Sequence, residues 1–324
     1  MTVQITIIGL GQTGASMGLA LAPHNEKIVT VGHDKDFNTE RLAKSRGAVE
    51  KTNHNLPNSV QNSDLVLLAI PVYDIRETFE HIAGDLKEGA VVADMTPVKT
   101  EVSKWAKEIL PAHCHYVGLV PAVGPDYLHR MESGLDSARA DLFARSTFLL
   151  SAAPGTPGEA LKLVSDFVNL LGATAVITDF IESDGLISSA HLLPQLTSAA
   201  LLSASVDQPG WLEVRKIAAR AYYSATSGFS ENDDADALSM LSLHNRENVI
   251  RALDRMIHTL AEIRQEIEEG DEEAFADRLE AARVGRSKWL GERIRGDWSE
   301  MDTEPMEHVS MMERLFGSSP KKRK

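Results

Sequence analysis

A single cysteine, Cys114, stands among 324 residues, so no disulfide forms within the chain and no cysteine cage holds a metal. Aromatic residues are scarce at 6%, and no apolar run approaches the roughly 20 residues that span a bilayer. Positive charge is in deficit: 33 Lys and Arg against 47 Asp and Glu leave a net charge of −14. An acidic body repels phosphate backbones, which argues against nucleic acid as a partner. The N-terminal MTVQITIIGLGQTG enters a strand at once, unlike a secretory or transit signal. These absences leave the expectation of a cytoplasmic protein without a membrane span, long enough for two domains.

The first half alternates strand-like and helix-like segments. Strands are predicted at Val3–Ile8, Lys27–Gly32, Leu65–Ala69, Ala90–Ala93, His115–Val117, Thr147–Ser151 and Thr174–Thr178. Several are almost wholly apolar, as parallel strands buried on both faces must be. Helices are predicted between them at Ala15–Ala22, Ile75–Gly84, Val98–Leu110 and Pro157–Leu171, the pattern of a doubly wound α/β sheet. From Asp179 no strand-like run recurs. Val249, Leu253, Met256, Leu260, Ile263 and Ile267 alternate steps of four and three, an a/d seam that wants a partner helix. Gly270-Asp271 breaks it, and Phe275, Leu279 and Ala282 carry a second seam, predicting a hairpin of long helices. The expected organisation is a sheet domain over 1–178, an all-helical domain over 179–316 and a disordered basic tail over 317–324. The tail, GSSPKKRK, reads as a solvated end rather than an import signal.

Gly9-Leu10-Gly11-Gln12-Thr13-Gly14 lies between the first strand and a helix. The first glycine makes the tight turn, the second admits a pyrophosphate to the backbone amides, and the third lets helix and strand pack closely. The helix start faces the phosphates with the positive end of its dipole. Asp34 closes the second strand 20 residues after Gly14, where a carboxylate accepts hydrogen bonds from the adenosine ribose. Its charge opposes a 2′-phosphate, so the predicted cofactor is NAD; Lys35 beside it keeps NADP as the alternative. Ile70 and Pro71 end the strand at Leu65–Ala69 and are predicted to border the cofactor, Pro71 fixing the loop. This is a Rossmann-type cofactor domain.

Four further segments narrow the reading. Asp94-Met95-Thr96-Pro97-Val98-Lys99 resembles the "D-V-G-S-V-K" of the prephenate/arogenate dehydrogenase family, and Val117-Gly118-Leu119-Val120-Pro121-Ala122-Val123-Gly124 its "V-G-S-H-P-M-A-G". His191-Leu192-Leu193-Pro194-Gln195 is similar to "S-H-L-P-H", and Gly210–Ala218 to "G-F-R-D-V-T-R-I-A". The order and approximate spacing run from Val3 to about Ile267. The resemblance implies a Rossmann domain followed by a helical dimerisation domain, NAD(P)-dependent oxidative decarboxylation on the route to tyrosine, a small anionic substrate and a homodimer. In the family a histidine assists removal of the ring hydroxyl proton as hydride leaves, lowering the barrier to the developing carbonyl.

Here that histidine falls on Val120, which accepts no proton. The family serine falls on Pro97, leaving Thr96 as the nearest hydroxyl; the arginine falls on Lys216, beside Arg215; the second histidine falls on Gln195. Lysine keeps the charge but loses the fork that grips a carboxylate. The resemblance therefore points to His191, Thr96 and Lys99 as catalytic and to Lys216, Arg215 and Gln195 as substrate-binding. His113 and His115 around Cys114 lack a third ligand at metal spacing, so no metal is expected. Acidic runs at Glu231–Asp234 and Glu268–Glu273 suit helix ends rather than cations. Two alternatives stand beside the dehydrogenase: an imine or 3-hydroxy-acid enzyme, and a cofactor-binding protein without catalysis.

Overall fold

The computed structural model describes residues 2–206, 208–229, 233–296 and 298. Its strands are β1 (Val3–Ile8), β2 (Ile28–His33), β3 (Lys51–Thr52), β4 (Leu65–Leu68), β5 (Val91–Asp94), β6 (His115–Pro121), β7 (Thr147–Ala152) and β8 (Thr174–Thr178). They form one sheet in the order β3-β2-β1-β4-β5-β6-β7-β8. Every neighbouring pair is parallel except β6 with β7. Helices α1 (Gln12–Leu21), α2 (Phe37–Ser45), α3 (Leu56–Val60), α4 (Val72–Ile82), α5 (Thr100–Ile109) and α6 (Gly158–Leu170) connect them.

The strand alternation sorts side chains onto two cores. Ile5, Ile7, Leu65, Leu67, Val91, Ala93, Val117 and Leu119 join α1 and α6 on one face. Ile8, Val66, Leu68, Val92 and Val120 join α4 and α5 on the other. That second core also receives Ile187, Leu192, Leu238, Leu241 and Val249 from the helical half, which is how the two halves are joined.

The helical half begins with α7 (Phe180–Ile187), whose N-cap Asp179 accepts from Glu182 N. A π-helical turn, Ser188–Leu192, leads into α8 (Leu193–Val206). Pro194 cannot donate to the carbonyl one turn earlier, and the widened turn lies where the helix absorbs that loss. There follow α9 (Trp211–Ile217), α10 (Arg220–Thr226), α11 (Ala235–His244), α12 (Arg246–Glu269) and α13 (Glu272–Arg295). Gly270, at φ 69°, ends α12, and Asp271 caps α13 through Ala274 N. The predicted hairpin of long helices is present, fastened by Arg278 to Glu266 at 2.7 Å. Asp234 likewise caps α11; Glu231, Asn232 and the basic segment 317–324 lie outside the described residues. No helix among the described residues is long and apolar enough to cross a membrane.

Three expectations change. β6 runs on to Pro121 rather than ending at Val117, because Gly118–Pro121 pair with Phe148–Ser151 of β7, a partner 30 residues away that local propensity does not register. The polar helix α2, the short α3 and the two-residue β3 were not predicted; α2 is capped by Asp36 and reaches the core through Ala43 alone. The seam of α12 is only partly covered, with Val249 buried but Leu260 52% and Ile267 59% exposed.

Candidate cofactor and active site

The glycine loop sits at the carboxyl edge between β1 and β4, where the strand order reverses. Gly9 adopts φ +90°, and a Cβ there would lie 2.4 Å from the Ala69 carbonyl oxygen. A Cβ on Gly14 would lie 2.0 Å from the Gly9 carbonyl oxygen, and one on Gly18 1.9 Å from that of Ala48. Only glycine fits at these places. Gly11, by contrast, faces open space, and as N-cap of α1 it leaves the first helical amides without a side-chain partner. Close packing behind the loop and free donors in front of it make a cradle for a pyrophosphate.

A cleft of about 420 Å³ opens beside this loop, lined by Gly9, Gly11, His33, Asp34, Ile70 and Pro71 among others. Asp34 accepts from Leu10 N at 2.8 Å and Asp36 N at 2.9 Å, which leaves lone pairs for ribose hydroxyls. The Asp34 amide is itself held by Glu40, a buried carboxylate that also meets His54 Nδ1 at 3.2 Å. Sequence reading missed Glu40, whose partners come from two other segments. Thr13 is half-buried in the first turn of α1, and Gln12 donates to the Glu132 carbonyl at 3.0 Å, tying the glycine loop to the segment after β6.

At the carboxyl end of β5, against the first half of β6, lies a buried polar cluster. Asp94 accepts from Lys99 Nζ at 2.8 Å, from Thr96 N at 2.9 Å, from the Thr96 hydroxyl and from Tyr116 OH at 2.6 Å. Lys99 and Asp94 are both fully buried. Burial pulls the Lys99 pKa down while Asp94 opposes it, and burial beside Asp94 pushes Tyr116 well up, keeping its proton as a donor. Lys99, expected to be catalytic, has its ammonium occupied by the Asp94 carboxylate and carbonyl. Thr96 is likewise 3% exposed and turned toward Asp94 and the Val98 carbonyl.

Asp184 was not foreseen. Its carboxylate accepts from Lys99 N at 2.6 Å and Thr100 N at 3.0 Å, so a residue of α7 caps α5. Asn245 holds the Asp184 carbonyl at 2.7 Å. No local signal marks Asp184, because its partners are 84 and 85 residues away.

Val120 is 9% exposed and packs in the core shared with Ile187 and Leu192. His191 lies on the π turn between those two residues. His191 is exposed to solvent, and the protein packed around its ring lowers its pKa, with Asp233 opposing. A neutral imidazole is able to accept a proton. Gln195 is half-buried on α8. Lys216 pairs with Glu213 of its own helix at 2.6 Å, and Arg215 is exposed. Within one chain α9 therefore presents its charges to solvent, apart from the glycine loop.

Residues 17–177 match the nucleotide-binding domain of prephenate dehydrogenase. The prephenate dehydrogenase of Bacillus subtilis is 22% identical over 270 residues, 83% of this chain and 71% of the relative. The cyclohexadienyl dehydrogenase of Zymomonas mobilis is 22% identical over 290 residues, 88% of this chain and 96% of the relative. The crystal structure of A. aeolicus prephenate dehydrogenase with hydroxyphenyl propionate and NAD+ has a TM-score of 0.79 at 20% identity, covering 89% of this chain and 98% of that one. The Synechocystis arogenate dehydrogenase structure has a TM-score of 0.71 at 21% identity, covering 89% and 100%. At these identities the structures show the fold, and the matched residues 17–177 include Asp34 and begin just after the glycine cradle. By its nucleotide-binding domain and by relatives that run along most of its length, the chain is similar to the prephenate dehydrogenase family.

Proposed function

We propose that the protein is an NAD-dependent dehydrogenase acting on prephenate, arogenate or a close cyclohexadienyl analogue, in the synthesis of tyrosine. The observation that carries this reading is the glycine cradle with Asp34 beside it, on a chain whose relatives are prephenate and cyclohexadienyl dehydrogenases. Gly9, Gly11, Gln12, Thr13 and Gly14 would hold the pyrophosphate, Asp34 the adenosine ribose, and Ile70 and Pro71 the border toward the nicotinamide. NAD, when bound, supplies the hydride acceptor.

The remaining roles fall to the helical half. With valine at position 120, the proton of the substrate hydroxyl needs another acceptor. His191 fits by its imidazole and by its place next to Leu192, which packs in the same core as Val120. Lys216 and Arg215 supply cations for a substrate carboxylate, and Gln195 a neutral hydrogen-bonding group. Thr96 and Lys99 act here through the buried Asp94 cluster, setting the end of β5 against β6. We read residues 1–178 as the cofactor domain and 179–316 as the substrate and dimerisation domain. A homodimer is supported by α9 and α10, which bury no residue in the single chain, and by exposed Leu212, Ile217, Leu260 and Ile267.

The test is turnover. Purified protein with NAD and prephenate, then arogenate, should raise nicotinamide absorbance. Val120→His should increase the rate by about 10²–10⁴-fold, and His191→Asn should lower it. If Val120→His has no effect and His191→Asn keeps full turnover, the family mechanism does not operate here. Val120 itself favours one second reading, a substrate of another class: imines and 3-hydroxy acids tested with the same protein would then react where cyclohexadienes do not.

A further inference from the structure

Lys35 follows Asp34 directly and is the one lysine or arginine among the residues lining the nucleotide cleft. A 2′-phosphate carries close to two negative charges at neutral pH and needs such a cation. Here the ammonium is already engaged: Lys35 Nζ lies 3.6 Å from Asp74 Oδ2, on the first turn of α4. Asp74 and Glu77 both line the cleft opposite Asp34, so three carboxylates face one lysine. A fourth, Asp234, reaches the same rim from the helical half. It accepts from Tyr73 OH at 2.6 Å, and that hydrogen bond, with a smaller contribution from the Lys35 charge, holds its carboxyl below the usual range.

We propose that Asp74, backed by Glu77, is a second specificity-determining residue of the nucleotide site: it occupies the Lys35 ammonium and sets the cleft against a 2′-phosphate. The inference rests on the dinucleotide reading of this cleft and adds to it a residue of α4, outside the glycine loop and the second strand. Asp34 alone disfavours NADP by repulsion. Asp74 removes the cation that would otherwise compensate, which is a separate contribution and separately removable.

The test is calorimetric titration of the full chain with NAD and with NADP, needing no substrate. The parent should bind NAD more tightly. Asp74→Asn should improve NADP affinity about three- to fivefold, the scale of one partly exposed charge pair, and leave NAD within about twofold. Adding Glu77→Gln should increase the gain. Adding Lys35→Ala to Asp74→Asn should cancel it, which general loss of negative charge would not do. The proposal fails if Asp74→Asn/Glu77→Gln leaves the NADP-to-NAD affinity ratio unchanged, or if the gain survives Lys35→Ala. A parent that binds neither nucleotide defeats the reading of the cleft as well as the proposal.

Discussion

In the sheet half, every residue of β4 and β5 is buried, and the core extends to both faces. In the helical half, α9 and α10 bury nothing, and Ile217 and Tyr223 are 80% and 75% exposed. Both halves are rich in apolar residues, so composition does not separate them. The difference is where the complementary surface comes from. Parallel strands find theirs within the chain, through crossover helices that return to the same sheet. Long helices with an apolar stripe find theirs only in another helix, and among the described residues too few are supplied. Stability should therefore reside in the first half and assembly in the second.

The largest effect that would sharpen this contrast is at the buried cluster. Asp94→Ala strands the Lys99 ammonium without a partner, and should cost about 3–5 kcal/mol in urea denaturation. A loss below about 1 kcal/mol would mean that the sheet half relaxes far more easily than its burial implies. Next comes cofactor binding: Asp34→Ala should weaken NAD by about 1–3 kcal/mol in calorimetric titration while leaving sedimentation unchanged. NADP binding the parent better than NAD would overturn that assignment. Leu260→Lys should do the reverse, weakening self-association about tenfold or more with NAD affinity intact. A parent that sediments as a monomer at micromolar concentration would remove the proposed dimer. The cap of α7 is a smaller matter, and Asp179→Ala should cost about 1 kcal/mol.

His191 gives a pH test across the same divide. Its folded pKa is lowered by the surrounding protein, so below the ordinary imidazole value of about 6.5 the unfolded chain binds more protons than the folded one. Its contribution to stability is present above that value and is lost as pH falls through the folded value. His191→Asn should flatten this part of the parent's stability profile. If His191 is the base, the acid limb of kcat/KM should likewise lie below the ordinary imidazole range. An unchanged acid limb in His191→Asn would remove it from that role.

What could be read from residues in order was whatever local spacing controls. The glycine loop needs φ freedom at Gly9 and no Cβ at Gly14, conditions set by neighbours within a few residues, and β1, β4 and β8 announce themselves by apolar runs. The helix break at Gly270-Asp271 is equally local. Pro194 signals a disturbed helix, though not that it takes the form of a π turn carrying His191. Lys99 is the instructive failure. Its motif suggests a reactive lysine, but its surroundings are built by Tyr116 of β6 and by Asp184 of α7, which only folding brings near. The extension of β6 to Pro121, the Asp184 cap on α5 and the Lys35–Asp74 pair are of the same kind. Each depends on groups tens of residues apart, whose meeting is fixed by the order of strands and the docking of helices, and no periodicity in the chain encodes that encounter.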